Sequence, residues 1–369
     1  MDRIQTDILV VGAGPAGTTV ANLLAQHNIR VTIVDRSKFP RDKICGDALT
    51  LPAIKVLNDL ELLPSVQDQF YPLTGSRLYS KEAIRRRNEQ FHSLPFSGFA
   101  APRLLLDQLL LEVAIEKGAD FLPEVNIMTP RLDGNQVIGA VGKCNGKEIS
   151  FQAKLTICAD GSGGSFAGKL GLGGGRKKNP IAARAYYFGV KGMDHTVEFY
   201  YWKEFLPFYA WIFPVRDNIT NIGVAMSVER NKNTHIQQVF ENFIRDMSML
   251  TNRFESAHPI SKCEAFPLQT QFAPMRSFIP GALAAGDAAG LVHPTTGEGI
   301  ASALESGVIV SRHVLRILQS GDMTYKSLQH YGIELAHRYL ESYRLARVIK
   351  FCMRSPTVAL HLVKLLQYT

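Results

Sequence analysis

Cysteine is scarce in this chain: five among 369 residues. Cys45, Cys144, Cys158, Cys263 and Cys352 are scattered, odd in number and free of metal-ligand spacing. That pattern argues against a disulfide scaffold or a zinc site, so no metal is expected and the chain reads as reduced and cytoplasmic. Long apolar runs are also missing. No stretch approaches the roughly 20 residues needed to cross a bilayer, and the strand-length run behind Asp2 and Arg3 is not a secretory signal. There is no internal repeat and no low-complexity tract. The net charge is +8, yet the basic residues are spread along the chain without a nucleic-acid fold signature, so no nucleic acid is expected as partner. What remains is 46% hydrophobic and 20% charged, an ordinary globular composition. The length suffices for one large domain or two interleaved ones.

What is present is concentrated first at the start. Gly12-Ala13-Gly14-Pro15-Ala16-Gly17 sits directly behind the apolar run Ile8–Val11, and Asp35, followed by Arg36, closes a second run at 30–34. A strand, a glycine-rich turn, a helix and a second strand ending in an acid form a site for an ADP-containing dinucleotide. Gly12 permits the tight turn, Gly14 lets the backbone approach the pyrophosphate, and Gly17 lets helix and strand pack closely. The pyrophosphate then lies at the helix N-terminus, where free N–H groups and the dipole favour an anion. The Asp35 carboxylate is in reach of both ribose hydroxyls.

Two further segments decide which dinucleotide it is. The run Ala153–Ala159 ends in Asp160-Gly161-Ser162-Gly163-Gly164, and Gly281–Ala285 leads into Gly286-Asp287-Ala288-Ala289-Gly290. His293-Pro294-Thr295-Thr296-Gly297-Glu298-Gly299-Ile300 follows as a glycine-rich helix start. A nicotinamide dehydrogenase has no need of a second acid–glycine site near the C-terminus. FAD does, because it lies extended: Asp287 is suited to the ribityl chain and the helix start to the isoalloxazine. In this order and spacing the segments resemble the FAD fold of the p-hydroxybenzoate hydroxylase superfamily over residues 4–320. The resemblance implies FAD contacts at Arg103 and Val125 as well.

The expected fold is α/β: a Rossmann-like FAD-binding domain (1–70, 100–178 and 276–330) interleaved with a mixed β-sheet substrate domain (71–99 and 179–275), with C-terminal helices over 331–369. Pro102–Lys117 reads as a helix. The turns Asp133-Gly134-Asn135 and Asn145-Gly146 predict hairpins between 121 and 159. Segment 181–228 alternates apolar and polar residues as a sheet with one covered face does, and 234–249 reads as a helix laid on it.

The loop Arg41-Asp42-Lys43-Ile44-Cys45-Gly46-Asp47 and the strand Leu206-Pro207-Phe208-Tyr209-Ala210-Trp211-Ile212-Phe213-Pro214 carry a narrower resemblance. They are similar to the Lys-x-Cys-Gly loop and the Tyr-x-Trp-x-Phe-Pro strand of the geranylgeranyl reductase family, and Arg103 matches that family's Arg-bearing helix. Two departures stand out. Phe208 takes the place of a common Gly before the Tyr, and Asp47 that of a frequent second Gly in the cysteine loop. The resemblance implies an FAD-dependent oxidoreductase reducing C=C bonds of an isoprenoid or other lipid-like substrate. It also implies NAD(P)H or a ferredoxin-like reductant as the source of electrons, and a place near the reacting centre for Cys45, Gly46, Tyr209 and Trp211.

Each of these positions also has a plainer reading. A Tyr/Trp/Phe strand is commonly core, although Tyr209 and Trp211 share one strand face by period two. Cys45 is either a small buried residue or a thiolate helped by Lys43 or Arg41. His293 is a structural loop histidine or a proton donor, and Glu298 orders its loop or caps the helix. Arg85-Arg86-Arg87 is a solvated face or a grip on NADPH phosphates. Around 344–365 basic residues (Arg344, Arg347, Lys350, Arg354, Lys364) interleave with apolar ones. That pattern suits a packed helix with a solvated basic face or a helix peripheral to the inner face of the membrane. The alternative enzyme is a monooxygenase, hydroxylase or halogenase-like, acting on an aromatic substrate. A halogenase calls for Trp-x-Trp-x-Ile-Pro, which Tyr209 and Phe213 break. A non-catalytic prenyl carrier on this fold is disfavoured by the intact flavin motifs.

Overall fold

The structure, a computed structural model, describes residues 2–81, 84, 92–175, 179–227, 235–355 and 358–359. Arg85-Arg86-Arg87, Leu360, Leu362, Lys364 and Leu365 lie outside the described residues. Five parallel strands form the heart of one sheet, in the order Ala282–Ala284, Lys147–Cys158, Asp2–Val11, Val31–Val34 and Asp120–Leu122. Ile8–Val11, Val31–Val34 and Ala282–Ala284 are buried at every position, which is how a parallel strand covered on both faces reads. Antiparallel strands Val125–Asp133 and Gln136–Cys144 join Lys147–Cys158 through the expected turns, where Gly134 and Gly146 take positive φ.

The register of this sheet builds the site. Val11 lies opposite both Val34 and Cys158, and Cys158 opposite Ala284. Four strands therefore end level, and the loops starting at Gly12, Asp35, Ala159 and Ala285 all leave from one edge. The carboxyl edge of a parallel sheet is where α/β folds bind ligands. Helix Pro15–Ala25 begins at this edge, is buried at all but one position, and packs on helices Arg103–Glu116 and Ile300–Ser320. Gly17 allows its approach: a Cβ there would lie 2.0 Å from the Gly12 carbonyl oxygen.

The second sheet runs in the order His258–Pro259, Ile181–Phe188, Ile219–Met226, Ala210–Arg216, Thr196–Tyr200, Tyr71–Tyr79, His92–Ala100 and Ala48–Leu49. Glu264–Pro267 also pairs with Ile181–Phe188. Among the described strands of this sheet, only the Thr196–Tyr200 and Tyr71–Tyr79 pair is parallel. Ala48–Leu49 comes from the first nucleotide-binding segment yet pairs with Phe99 and Ala100, so the cysteine loop ends as the edge strand of this sheet. Period two divides the sheet's faces. Ala210, Ile212, Ile222 and Val224 face helix Ile236–Leu250, while Trp211, Phe213 and Val215 face the other way, toward the first sheet's loops.

Helices Ile300–Ser320 and Tyr325–Cys352 follow, with Gly321 in the left-handed region between them. Three tyrosines tie the last helix down. Tyr331 donates to the Ala284 carbonyl at 2.6 Å, Tyr343 to that of Leu291 at 2.6 Å, and Tyr339 to Glu305 at 2.9 Å. No described helix is long and apolar enough to cross a membrane.

Candidate functional site

A cleft runs along the carboxyl edge of the parallel sheet, lined by Gly12, Gly14, Asp35, Arg36, Val125, Asp160 and Gly161 among others. The Asp35 carboxylate accepts the Ala13 N–H on one oxygen and the Ser37 N–H on the other, each at 2.9 Å. Those bonds fix its orientation and leave lone pairs for hydroxyl donors. Gly14 stands at the N-cap of helix Pro15–Ala25 with no side chain capping the first-turn amides. A Cβ on Gly14 would point toward the guanidinium groups of Arg41 (3.8 Å) and Arg103 (4.0 Å). Uncapped amides and two guanidiniums around a glycine form a cradle for a pyrophosphate.

Arg103 is buried and grips Asp107, one turn on, with two bonds of 2.7 Å; Arg41 adds a third of 2.7 Å. This pairing holds the Asp107 carboxyl below the usual carboxylate range despite its burial, and keeps Arg103 charged. Asp160 turns inward: its Oδ2 accepts the N–H groups of Phe166 (2.8 Å) and Ala167 (3.4 Å), capping a short helix at the cleft wall.

Lys43, Ile44, Arg103 and Phe266 border this cleft and a second cavity that continues from it. On the cleft side, the second cavity is lined by Pro15, Asp287, Gly297, Gly299 and Ile300; on the far side, by Phe208, Tyr209, Trp211 and Phe213. Asp287 Oδ2 accepts from Ser162 at 2.9 Å and pairs with Lys43 at 3.3 Å. Gly299 is the uncapped N-cap of helix Ile300–Ser320. Between the two sides stand Cys45 and Gly46. Gly46 sits close under the aromatic strand: a Cβ there would lie 3.2 Å from the Phe213 ring and 3.5 Å from Trp211 Nε1, so a side chain would press on both rings. The Tyr209 hydroxyl donates to the Thr296 carbonyl, tying the aromatic strand to the glycine-rich loop.

Several expected positions find a different setting. The Cys45 thiol is pushed up by burial and by the Asp47 carboxylate against the pull of Arg103 and Lys43. Arg41 and Lys43, the cations a thiolate needs, are engaged by Asp107 and Asp287, so Cys45 is a neutral thiol. His293 lines neither cavity. Its Nδ1 accepts the Thr296 N–H at 3.2 Å and burial lowers its pKa, so it is a neutral ring holding its loop. Ala16, Gly17 and Gly286 also lie behind the lining: a Cβ on Gly286 would lie 3.0 Å from that of Ala16. Sequence reasoning missed Asp107, Ser162, Tyr186 and Asn221. Only Asp107 had a local signal, its i,i+4 spacing from Arg103 on one helix.

Comparison with known proteins agrees with this geometry. The FAD binding domain family model matches residues 5–348. The chain is 24% identical to conditioned medium factor receptor 1 of Dictyostelium discoideum, over 89% of this chain and 67% of that one. It is 27% identical to the digeranylgeranylglycerophospholipid reductase of Thermoplasma volcanium (88% and 82%) and 28% identical to the menaquinone reductase of Mycobacterium tuberculosis (95% and 85%). Among solved structures, a geranylgeranyl bacteriochlorophyll reductase-like protein from Thermoplasma acidophilum superposes with TM-score 0.87 at 21% identity, covering 100% of this chain and 92% of that one. A myxobacterial chondrochloren halogenase superposes with TM-score 0.79 at 20% identity (95% and 83%), a likeness of fold. With a dinucleotide cleft on the carboxyl edge, a second acid–glycine site beside it and a family model spanning most of its length, the chain belongs to the FAD binding domain family and is a flavoprotein oxidoreductase.

Proposed function

We propose that this flavoprotein reduces C=C bonds of an isoprenoid or similar lipid-like substrate, with electrons from NAD(P)H or another reductant. The observation that carries this reading is the chemistry of the second cavity's far wall. Phe208, Tyr209, Trp211, Phe213, Ala225 and Leu268 line it, and the one hydroxyl among them is bonded to Thr296. A long alkene offers no polar handle, so its binding energy comes from apolar area, about 25 cal/mol per Å². A phenol or small acid would need convergent polar groups to orient it. The names of the reductase relatives point the same way.

The chain's own residues divide the work. Asp35, Gly14, Arg103 and Asp287 are suited to hold FAD at its ribose, pyrophosphate and ribityl portions, and bound FAD supplies the electron pair for reduction. Tyr209, Trp211 and Phe213 exclude water and orient the chain of the substrate. Cys45, a neutral thiol in the cavity wall, is the group suited to give a proton to a carbon held there.

Helix Tyr325–Cys352 fits a lipid substrate as a membrane-surface contact. Arg347 donates to the Phe272 carbonyl and Lys350 lies over the Phe208 ring, both toward the body. Leu345, Val348 and Phe351 stay 61%, 59% and 67% exposed. An outward apolar stripe among basic residues is the pattern of a helix lying at an anionic bilayer.

Reduction of the purified protein under nitrogen, followed by mixing with oxygen, tests the reductase assignment. Oxygen is expected to be consumed slowly and no faster with geranylgeraniol present, because the alkene itself takes the electrons from the reduced flavin. Fast, substrate-stimulated oxygen consumption would point to the monooxygenase instead.

A further inference from the structure

Behind the wall of the second cavity lies a buried polar chain that neither the flavin nor the substrate assignment uses. Asp47 is fully buried and its backbone is left-handed, with φ +62°. Its Oδ2 accepts the Tyr186 hydroxyl at 2.5 Å and the Asn221 amide at 2.7 Å. Asn221, also fully buried, reaches three groups with one side chain. Its Nδ2 donates to Asp47 and, at 2.8 Å, to the Cys45 carbonyl; its Oδ1 accepts the Trp211 indole N–H at 2.9 Å. The cysteine loop and the aromatic strand are thus fastened to each other from behind, on the side away from the cavity.

We propose that Asp47 and Asn221 are positioning residues that determine substrate specificity, setting the cavity wall by fixing the Trp211 ring and the Cys45–Gly46 backbone as one unit. The proposal rests on the reading of this cavity as the seat of the substrate. Three features support it. A glycine would adopt the left-handed backbone at position 47 without strain, so the carboxylate has a use that outweighs the conformational cost. The loop backbone at Gly46 seats directly against Phe213 and Trp211, so any shift of the loop changes the wall. Asn221 spends its bonding capacity on the two sides of that contact and on Asp47 alone.

The ionisation of Asp47 gives a readout that a merely structural residue would not supply. Burial pushes its pKa up to about 6, against the pull of Arg184 and the bonds from Tyr186 and Asn221, with Asp42 adding to the rise. The charged and titratable groups facing it are therefore Arg184 and Tyr186 from one strand and Asp42 and Cys45 from its own loop. Above pH 6 the carboxylate holds Asn221 firmly. Below it the proton goes to Oδ1, which has no hydrogen-bond partner, and the grip on Asn221, and through it on Trp211, weakens.

The chain has two tryptophans, and only Trp211 belongs to this network; Trp202 sits in the core on the sheet's opposite face. Indole ¹⁵N labelling of the FAD-loaded protein therefore gives two N–H signals, assigned with Trp211→Phe. The Trp211 signal is expected to move upfield as the pH falls from 7.5 to 5, with its midpoint near 6, while Trp202 stays still. Asp47→Asn, whose neutral amide oxygen keeps both acceptor bonds but not the charge and whose backbone tolerates the left-handed region, should abolish the step and hold Trp211 near its low-pH position at every pH. Asp47→Gly should displace the signal at every pH, leave the FAD content unchanged, and weaken geranylgeraniol binding about tenfold, read from the flavin absorbance.

A Trp211 signal indifferent to pH and to both substitutions would overturn the proposal, and so would an unchanged geranylgeraniol affinity in Asp47→Gly. Should geranylgeraniol leave the flavin of the unsubstituted protein unperturbed, the alkene reading fails, and the indole arm alone decides whether Asp47 sets the wall. If Asp47→Gly does not fold, the loss of the pH step in Asp47→Asn carries the same decision.

Discussion

At the scale of residues, the site is made of charges that are committed in advance. Asp107 receives three guanidinium bonds from Arg41 and Arg103, and Asp287 receives Ser162 and Lys43. What such pairing achieves is orientation, because a guanidinium held on two oxygens presents its outer N–H groups to the cleft in one geometry. Arg103→Ala should then cost more than a surface substitution. It strips the bidentate partner from a fully buried carboxylate, a loss of about 3–5 kcal/mol, and removes one wall of the pyrophosphate cradle. A lower melting temperature together with a lower flavin-to-protein ratio is the expected result; an unchanged ratio would separate Arg103 from the cofactor. Glycines and acids at strand ends were legible in the sequence because their spacing is local. Their partners were not: Asn221 meets Asp47 across 174 positions and Tyr186 meets it across 139, separations that no periodicity encodes. Cys45 illustrates the same limit. Its nearby cations were visible as residue types, but their prior engagement by Asp107 and Asp287 was not.

At the scale of elements, apolar runs and turn residues were enough to anticipate four of the parallel strands, the 103–116 helix, the hairpins beyond Val125 and the helix over the second sheet, whereas Asp120–Leu122, expected to open a hairpin region, instead pairs parallel with Val31–Val34. Ala48–Leu49 escaped because a two-residue strand has no period to detect; its pairing with Phe99 and Ala100 is decided by where the cysteine loop must go. The last helix was ambiguous in sequence, and the structure divides its faces. Tyr331, Tyr339, Tyr343 and Ala346 are buried against the body, whereas Leu345, Val348 and Phe351 point outward. If that stripe meets a bilayer, the combined change Leu345→Ser, Val348→Ser, Phe351→Ser should weaken binding to vesicles containing anionic lipid by more than about tenfold, since each side chain forfeits on the order of 1.5 kcal/mol of apolar burial. The melting temperature should stay where it was, and binding of the unsubstituted protein should fall as salt rises. Equal vesicle binding by the two proteins would make the stripe a plain solvent-facing feature.

At the scale of the whole molecule, two sheets with different tasks share one boundary. The parallel sheet ends its strands level and offers a dinucleotide cleft along that edge. The mixed sheet turns an aromatic face toward the same edge, and the 41–47 loop runs from one sheet to the other. A cavity formed in this way has polar groups where the flavin belongs and apolar ones beyond it, which is the basis for proposing reduction of an alkene rather than insertion of oxygen. That central claim is tested most directly by reducing the FAD-loaded enzyme, removing oxygen, and incubating it with a polyprenyl substrate while following the flavin spectrum and the product mass. Saturated product formed in step with oxidised FAD is the expected result; no anaerobic turnover, with hydroxylated product appearing once oxygen is admitted, would contradict it.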